Sequence, residues 1–443
     1  MLLVNLLKDI KEINQLNLKE FNPLIKGISF NSKKIKKNFI FVAIKGKRYD
    51  GHQFVNEAIN KGAILIIIDN KKPIKILIKK KINFIFCKNS RILLSKISSN
   101  FFPKQPSFIS AVTGTNGKTS VSHITKEIWK NCNISSAAIG TIGLITDRYK
   151  KKLPLTTIDS IQLHQILTSL YKKKINHLCI EASSHGLEQN RIDNIKINTA
   201  AFTNFSHDHL DYHKNFKLYF KSKMRLFKDL LIRNGNAIIN SDIPESKTIQ
   251  KLCKKYNKKV ISYGFKSKYL QLLDYKSEKD YQKVYFKYKK TKFNFTLPLF
   301  GDFQIYNALC SIGIILSSGI GIKECIKSIK KINQIPGRLE KINIPKKQKA
   351  TIPSPEDYDE VRILVYTQPN KLSTGKKKPE LMEISLGGKK EDQLKFIKEH
   401  EGKDIILILS FSFARFIEAC AAISTSEPVA NIVASYFSKS TIG

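Results

Sequence analysis

The stretch Ala111-Val-Thr-Gly-Thr-Asn-Gly-Lys-Thr-Ser120 constrains this chain more than any other. An apolar run from Phe108 leads into two glycines, a lysine and a threonine, and then Val121, Ile124 and Ile128 recur at helical spacing. A strand, a tight loop and a helix in that order aim backbone N–H groups at one point, where the helix N-terminus holds a phosphate. Gly114, Thr115, Asn116, Gly117, Lys118, Thr119 and Ser120 are therefore candidate ATP-binding residues. The Lys118 amine can reach the β- and γ-phosphates, and the Thr119 hydroxyl can bind Mg²⁺. Where a strict phosphate loop has its first glycine, this chain has Val112, so the loop is a shortened variant.

The surrounding sequence alternates strands with helices. Strands are expected at 38–44, 63–68, 108–113, 177–180, 198–203 and 237–240, with helical stretches near 53–61 and after Lys118, Ser160 and Phe216. That alternation predicts an α/β chain whose main sheet is doubly wound and mostly parallel.

Two polar clusters follow predicted strands. Glu181 comes directly after the strand ending at Ile180, where such folds place ligands; it is either a Mg²⁺ ligand or one more polar loop residue. His207-Asp-His-Leu-Asp-Tyr-His213 packs three histidines and two aspartates into seven residues. By composition this is a metal site or a solvated loop, and it lacks the i, i+4 histidine pair of a zinc protease. Given the upstream loop, Mg²⁺ with ATP is the better partner. Further on, Phe220, Met224 and Phe227 mark the apolar side of a helix, and composition alone makes Lys223 another surface lysine.

Composition excludes several classes. The chain has 443 residues, 42% of them hydrophobic, which is enough to build cores and rules out a wholly disordered chain. No run of 18 apolar residues occurs, and the N-terminus lacks a basic start and has its apolar stretch interrupted by Lys8, Asp9 and Glu12, so neither a membrane span nor a signal peptide is expected. Seven cysteines stand singly, at 87, 132, 179, 253, 310, 325 and 420; this argues against zinc ribbons and disulfide scaffolds and for a reducing, cytoplasmic setting. The net charge of +41 would attract polyanions, but the lysines are spread through the chain rather than gathered in a block, so nucleic-acid contact is expected to be non-specific.

That lysine excess stops near residue 345. Residues 1–345 hold 62 Lys+Arg against 23 Asp+Glu, whereas residues 346–443 hold 15 against 13. The expected division is 1–105 and 106–340 as two domains, 341–355 as linker, and 356–404 and 405–443 as segments of foreign composition.

Together the motifs resemble the Mur ligase family, in particular the members that add the third residue of the peptidoglycan stem. The resemblance rests on GTNGKTS at 114–120, LTTIDS at 155–160, EASSHGLEQNRI at 181–192, TNFSHDHLDYH at 203–213 and YFKSKMRLF at 219–227. FGDFQIYNALCS at 300–311, PGRLE at 336–340 and the stretch at 30–54 complete it, with Asn31, Lys33 and Gln304 departing from the usual residues. It implies a uridine-binding domain followed by a central ATPase domain. It also implies ATP-driven joining of a diamino acid, meso-diaminopimelate rather than L-lysine, to UDP-MurNAc-L-Ala-D-Glu by a monomer. Thr119, Glu181, His209 and Lys223 would hold two Mg²⁺ ions, Lys223 as an N-carboxylated lysine, with Lys118, Lys223 and His209 as catalytic residues. Asn307 and Arg338 would contact the nucleotide, and Ser32, Thr156, Thr157, Ser183, Gln189 and Arg191 the substrate.

The family's third, Rossmann-like domain carries an Asp-Asn-Pro-Arg type motif, and residues 341–443 contain none. Residues 356–404 instead resemble part of an archaeal-type large-subunit ribosomal protein, and 405–443 suggest a strand followed by an amphipathic helix. The expectation is that a foreign tail replaces the third domain and impairs ligation, because aligning amine and acyl group can be worth about 7–11 kcal/mol of barrier. Two other readings are a fusion chain that only binds nucleotide and an RNA-binding protein. A folylpolyglutamate synthase shares the loop but not the SSHGLEQNR run at 183–191.

Overall fold

The computed structural model describes residues 1–10, 16–46, 49–69, 82–208, 210–278, 281–336 and 338, together with the backbones of strands at 361–366, 381–386 and 404–408. Strands β1 (Gly27–Ser29), β2 (Phe39–Val42), β3 (Ala63–Ile68) and β4 (Asn83–Phe86) form a parallel sheet in sequential order. Its apolar runs are covered on both faces, because successive side chains alternate sides. Ile40, Val42, Leu65 and Ile67 pack with Leu93, Leu94 and Ile97 of the helix Ser90–Phe101. Phe41, Ile66 and Ile68 pack with Val55, Ala58 and Ile59 of the helix Val55–Asn60. The helix expected near 53–61 is preceded by a 3₁₀ turn, Gly51–Phe54, because the Asp50 carboxylate accepts from the His52 N–H and tightens the entry.

The second unit is built on eleven strands: β5 (Phe108–Thr113), β6 (Ser136–Gly140), β7 (Gly143–Thr146), β8 (Lys150–Lys151), β9 (His177–Glu181), β10 (Ile197–Phe202), β11 (Leu231–Asn240), β12 (Lys259–Gly264), β13 (Leu270–Ser277), β14 (Gln282–Tyr288) and β15 (Thr291–Leu297). They lie in the order β15-β14-β13-β12-β11-β10-β5-β9-β6-β7-β8. From β13 to β6 neighbours run parallel, as expected, but both edges are antiparallel. The β13–β15 edge is strand rather than helix because Gln282, Val284 and Phe286 are buried while the residues between them are not, a period of two. β11 starts at Leu231, well before residue 237; Arg233, Asn234, Gly235 and Asn236 interrupt its apolar run, so apolar pattern could not reveal its start.

Alternation on the central strands divides the two cores. Val112, Ala201 and Ile238 face the helices Lys118–Asn131 and Asp302–Ser317, where Val121, Ile124, Ile128 and Trp129 are fully buried. Ile109, Ala111, Ala200, Phe202, Ala237 and Ile239 face the helices Ser160–Lys172, Phe216–Arg225 and Ser246–Lys255. Asp159 caps the first of these by accepting from the Gln162 N–H, which places the preceding Thr156 and Thr157 at the sheet's C-terminal edge.

The backbones of β16 (Val361–Tyr366), β17 (Leu381–Leu386) and β18 (Asp404–Ile408) form a small antiparallel sheet with β16 in the middle. β18 falls where a strand was expected at the start of the tail. The linker 341–355, most of 356–404 and the helix expected after β18 lie outside the described residues. Among the described residues no helix is long and apolar enough to cross a membrane.

Candidate active site

A polar cavity of about 150 Å³ opens where β5, β6 and β9 end, lined by the Thr115–Thr119 loop, Thr141, Thr156, Glu181, Ser183, Lys223 and Arg338 among others. Sheet topology explains the convergence: parallel strands deliver their outgoing loops to one edge. The loop after β5 depends on its glycines. Gly114 and Gly117 have φ of +144° and +83°, and a Cβ on Gly114 would strike Thr203 while one on Gly117 would strike Asn307. Asn307, on the helix Asp302–Ser317, thus lies against the loop, and its side-chain amide donates to Gln304 Oε1 at 3.0 Å. The half-buried Lys118 donates to Gly114 O at 2.9 Å and Thr115 O at 2.6 Å. Ser120 is buried in the first helical turn and does not line the cavity.

Glu181 is 2% exposed, and its side-chain carboxylate accepts three hydrogen bonds. The Thr141 N–H donates to Oε1 at 2.9 Å, and the Thr119 and Thr141 hydroxyls each donate to Oε2 at 3.1 Å. Burial pushes its carboxyl above the ordinary value, opposed by the Thr141 N–H and by Lys118. Hydroxyl and carboxylate oxygens gathered in this way suit a hard divalent cation. The Arg338 guanidinium donates to the Thr119 hydroxyl at 3.1 Å, which brings it into the cavity.

Lys223 corrects the composition-based reading as a surface lysine. It is 1% exposed, its amine donates to Gly114 O at 2.8 Å and lies 4.3 Å from the Tyr219 ring centroid. Apolar spacing could not show this, because the helix presents Lys223 to the phosphate loop rather than to water. Burial first, and then the charge of Lys118, holds the Lys223 amine well below its usual range; burial also lowers Lys118, which Glu181 and Asp208 partly counter.

On the far side of Glu181, Thr157 donates to Glu181 O at 2.8 Å and accepts from the Ser183 N–H at 3.0 Å. Arg191 donates to Thr157 O at 2.7 Å and to Gln189 Oε1 at 2.7 Å. The residues expected to grip substrate are therefore contiguous with the cavity, except Ser32, which sits in the first sheet's domain and donates to Glu57 Oε2 at 2.8 Å. His209 lies outside the described residues, and among those described no cluster of three His, Cys, Asp or Glu is arranged for a metal.

Sequence reasoning missed Thr141, Tyr219 and Arg91. Thr141 had a signal: it follows the apolar strand β6 between Gly140 and Gly143, the same strand-glycine-hydroxyl pattern as the phosphate loop. Tyr219 stands four residues before Lys223 on its helix, and its hydroxyl is 3.2 Å from Thr115 Oγ1. Arg91 had none, since its partner Gln189 is 98 residues away.

Residues 112–315 match the Mur ligase middle domain, and residues 24–106 match the domain described as "Mur ligase family, catalytic domain". The chain belongs to the Mur ligase family. Its relatives include UDP-N-acetylmuramoyl-L-alanyl-D-glutamate--2,6-diaminopimelate ligases. That of Rickettsia rickettsii is 38% identical over 323 residues, covering 72% of this chain and 66% of the relative. That of Zymomonas mobilis is 33% identical over 326 residues, covering 74% and 66%. That of Rickettsia prowazekii is 36% identical over 326 residues, covering 73% and 67%. A solved structure of a ligase of this name superposes with a TM-score of 0.65 at 26% identity, covering 73% of this chain and 66% of that one. The fold is also that of the MurF ligase from Thermotoga maritima solved with ADP, at a TM-score of 0.51 and 21% identity, covering 74% and 72%. The chain thus spans 66% of the length of the first relatives it matches.

Proposed function

We propose that this chain performs the chemistry of its named relatives: ATP-dependent attachment of a diamino acid, meso-diaminopimelate rather than L-lysine, to UDP-MurNAc-L-Ala-D-Glu. What carries the reading is the gathering of Lys118, Thr119, Glu181 and Lys223 around one cavity in a chain of this family. ATP transfers its γ-phosphoryl group to the free side-chain carboxylate of D-Glu, releasing ADP. The amine of the diamino acid then attacks the acyl carbon, phosphate leaves, and an amide forms. In this reading the Lys118 ammonium neutralises charge on the transferring phosphoryl group, and the loop N–H groups orient it. Thr119, Glu181, His209 and Lys223 are the residues that would hold two Mg²⁺ ions, which supply further neutralisation when bound.

Depression of the Lys223 amine supports its N-carboxylation, because only the uncharged amine attacks CO₂. A new N–C bond forms and the amine proton passes to solvent, turning a cation into an oxygen ligand. Asn307 and Arg338 belong to the nucleotide, and Thr156, Thr157, Ser183, Gln189 and Arg191 to the muramoyl-dipeptide, with Ser32 near the uridine. A cytoplasmic monomer fits soluble substrates of this kind.

One feature favours a second reading, in which nucleotide and UDP-substrate bind with little ligation: the lysine excess of residues 1–345 does not continue into residues 346–443. A mass-spectrometric ligation assay decides, using this chain with UDP-MurNAc-L-Ala-D-Glu, ATP, Mg²⁺, bicarbonate, and meso-diaminopimelate or L-lysine in parallel. Tripeptide product establishes the ligase and names its amino acid. Binding without product establishes the second reading, and absence of binding rejects both.

A further inference from the structure

Arg91 is the second residue of the helix Ser90–Phe101, which Asn89 caps by accepting from the Arg91 and Ile92 N–H groups. The cap directs the half-buried Arg91 side chain out of the first domain and toward the second. There its Nη1 donates to Gln189 Oε1 at 3.3 Å, while Nη2 donates to Lys45 O at 3.1 Å. Arg191 donates to the same Gln189 oxygen from Nε at 3.2 Å and Nη2 at 2.7 Å. Two guanidinium groups from different domains thus converge on a single neutral amide oxygen. Gln189 is itself oriented by donating its Nε2 to Tyr212 OH at 3.0 Å.

All the acceptors of Arg91 and Arg191 here are uncharged: an amide side chain and the carbonyls of Lys45 and Thr157. Burial lowers the pKa of both groups, and the charge of Arg91 adds to the lowering of Arg191. Like charges so placed repel, and a planar guanidinium fork is matched by an oxyanion rather than by a carbonyl. Asp69 and Asp159 act on the pair only through space. The geometry points to an interdomain oxyanion clamp in which Arg91 is a substrate-binding residue: Arg91 and Arg191 together receive a diphosphate or carboxylate of the anionic substrate. This rests on the ligase reading above and extends it, since the clamp exists only while the two domains are apposed. Bound substrate would therefore fasten them together.

The test is calorimetric titration of the full chain and of Arg91→Ala and Arg91→Lys with UDP, UDP-MurNAc and UDP-MurNAc-L-Ala-D-Glu, and separately with ATP. Arg91→Ala is expected to weaken the clamped ligand about tenfold to a hundredfold, Arg91→Lys to recover part of that, and ATP affinity to stay unchanged. Weakening already seen with UDP assigns the diphosphate to the clamp; weakening confined to the dipeptide-bearing ligand assigns a carboxylate. Wild-type affinity for all three ligands in Arg91→Ala, or an equal loss for ATP, overturns the clamp. If the wild-type chain binds none of the three UDP ligands, it is the ligase reading that fails.

Discussion

The end of β6 offers a sharp test of how Glu181 is held. Gly140 has ordinary backbone angles, so alanine fits its conformation, yet an added Cβ would fall on Oε1, Cδ and Cγ of Glu181. Glu181 cannot simply turn aside, because it is 2% exposed and bonded to Thr119 and Thr141. Hydrogen bonds to a charged group are worth about 1.5–3 kcal/mol each, and a side chain forced off its rotamer loses at least one of the three. Gly140→Ala should therefore destabilise the central domain by about 2–4 kcal/mol, lowering its unfolding midpoint by roughly 5–10 °C. It should also weaken Mg²⁺-dependent ATP binding about tenfold. The decisive comparison is the same substitution in a Glu181→Ala background, where the clashing atoms are gone and the cost should fall below about 0.5 kcal/mol. Calorimetric unfolding of the four proteins measures this coupling. Equal costs in both backgrounds, or a wild-type midpoint in Gly140→Ala, would refute the proposed constraint.

Further outcomes follow from the same geometry. Burial raises the Glu181 carboxyl above its ordinary value, so the folded state holds a proton that the unfolded chain has lost, and stability falls as pH rises through that window. Glu181→Gln should therefore be more stable than wild type near pH 7, with the gain vanishing below about pH 4, as urea unfolding at the two pH values would show. Trp129 is fully buried, packs edge-on to Phe108 at 5.8 Å and donates to Ser318 Oγ at 3.1 Å, so Trp129→Ala should cost about 3–5 kcal/mol in denaturant titration. Arg225 pairs with Asp193 and anchors the helix bearing Lys223 to the segment bearing Arg191. Arg225→Ala leaves a largely buried carboxylate unpaired and should cost about 3–5 kcal/mol by the same method. Lys118→Ala should weaken ATP at least about tenfold while leaving UDP binding intact, measured by titration with each nucleotide.

Most of the fold's centre was legible in the sequence, because buried parallel strands are continuous apolar runs bounded by turn residues. β3 and β5 match expectation to the residue. The edges were not. β13 and β14 mix lysine and tyrosine with their apolar residues, and β15 mixes lysine, asparagine and threonine with its own, which makes an exposed sheet face look like loop. The same division runs through the site. Glycine, lysine and threonine in the phosphate loop act through local backbone geometry, so their order alone identified them. Thr141, Arg91 and Tyr219 act through partners brought near by the fold.

The sequence by itself determined that this chain has a nucleotide loop between a strand and a helix, in an α/β fold with the motif order of a Mur ligase. Those properties rest on contacts within a few residues and on periodicity. Only the tertiary structure decided that Lys223 is buried beside Gly114, and that Glu181 rests among two threonine hydroxyls. It also decided that two arginines from different domains share one oxygen. Burial and charge proximity belong to residues far apart along the chain. They arise only when the sheet gathers its loops at one edge, which no local pattern encodes.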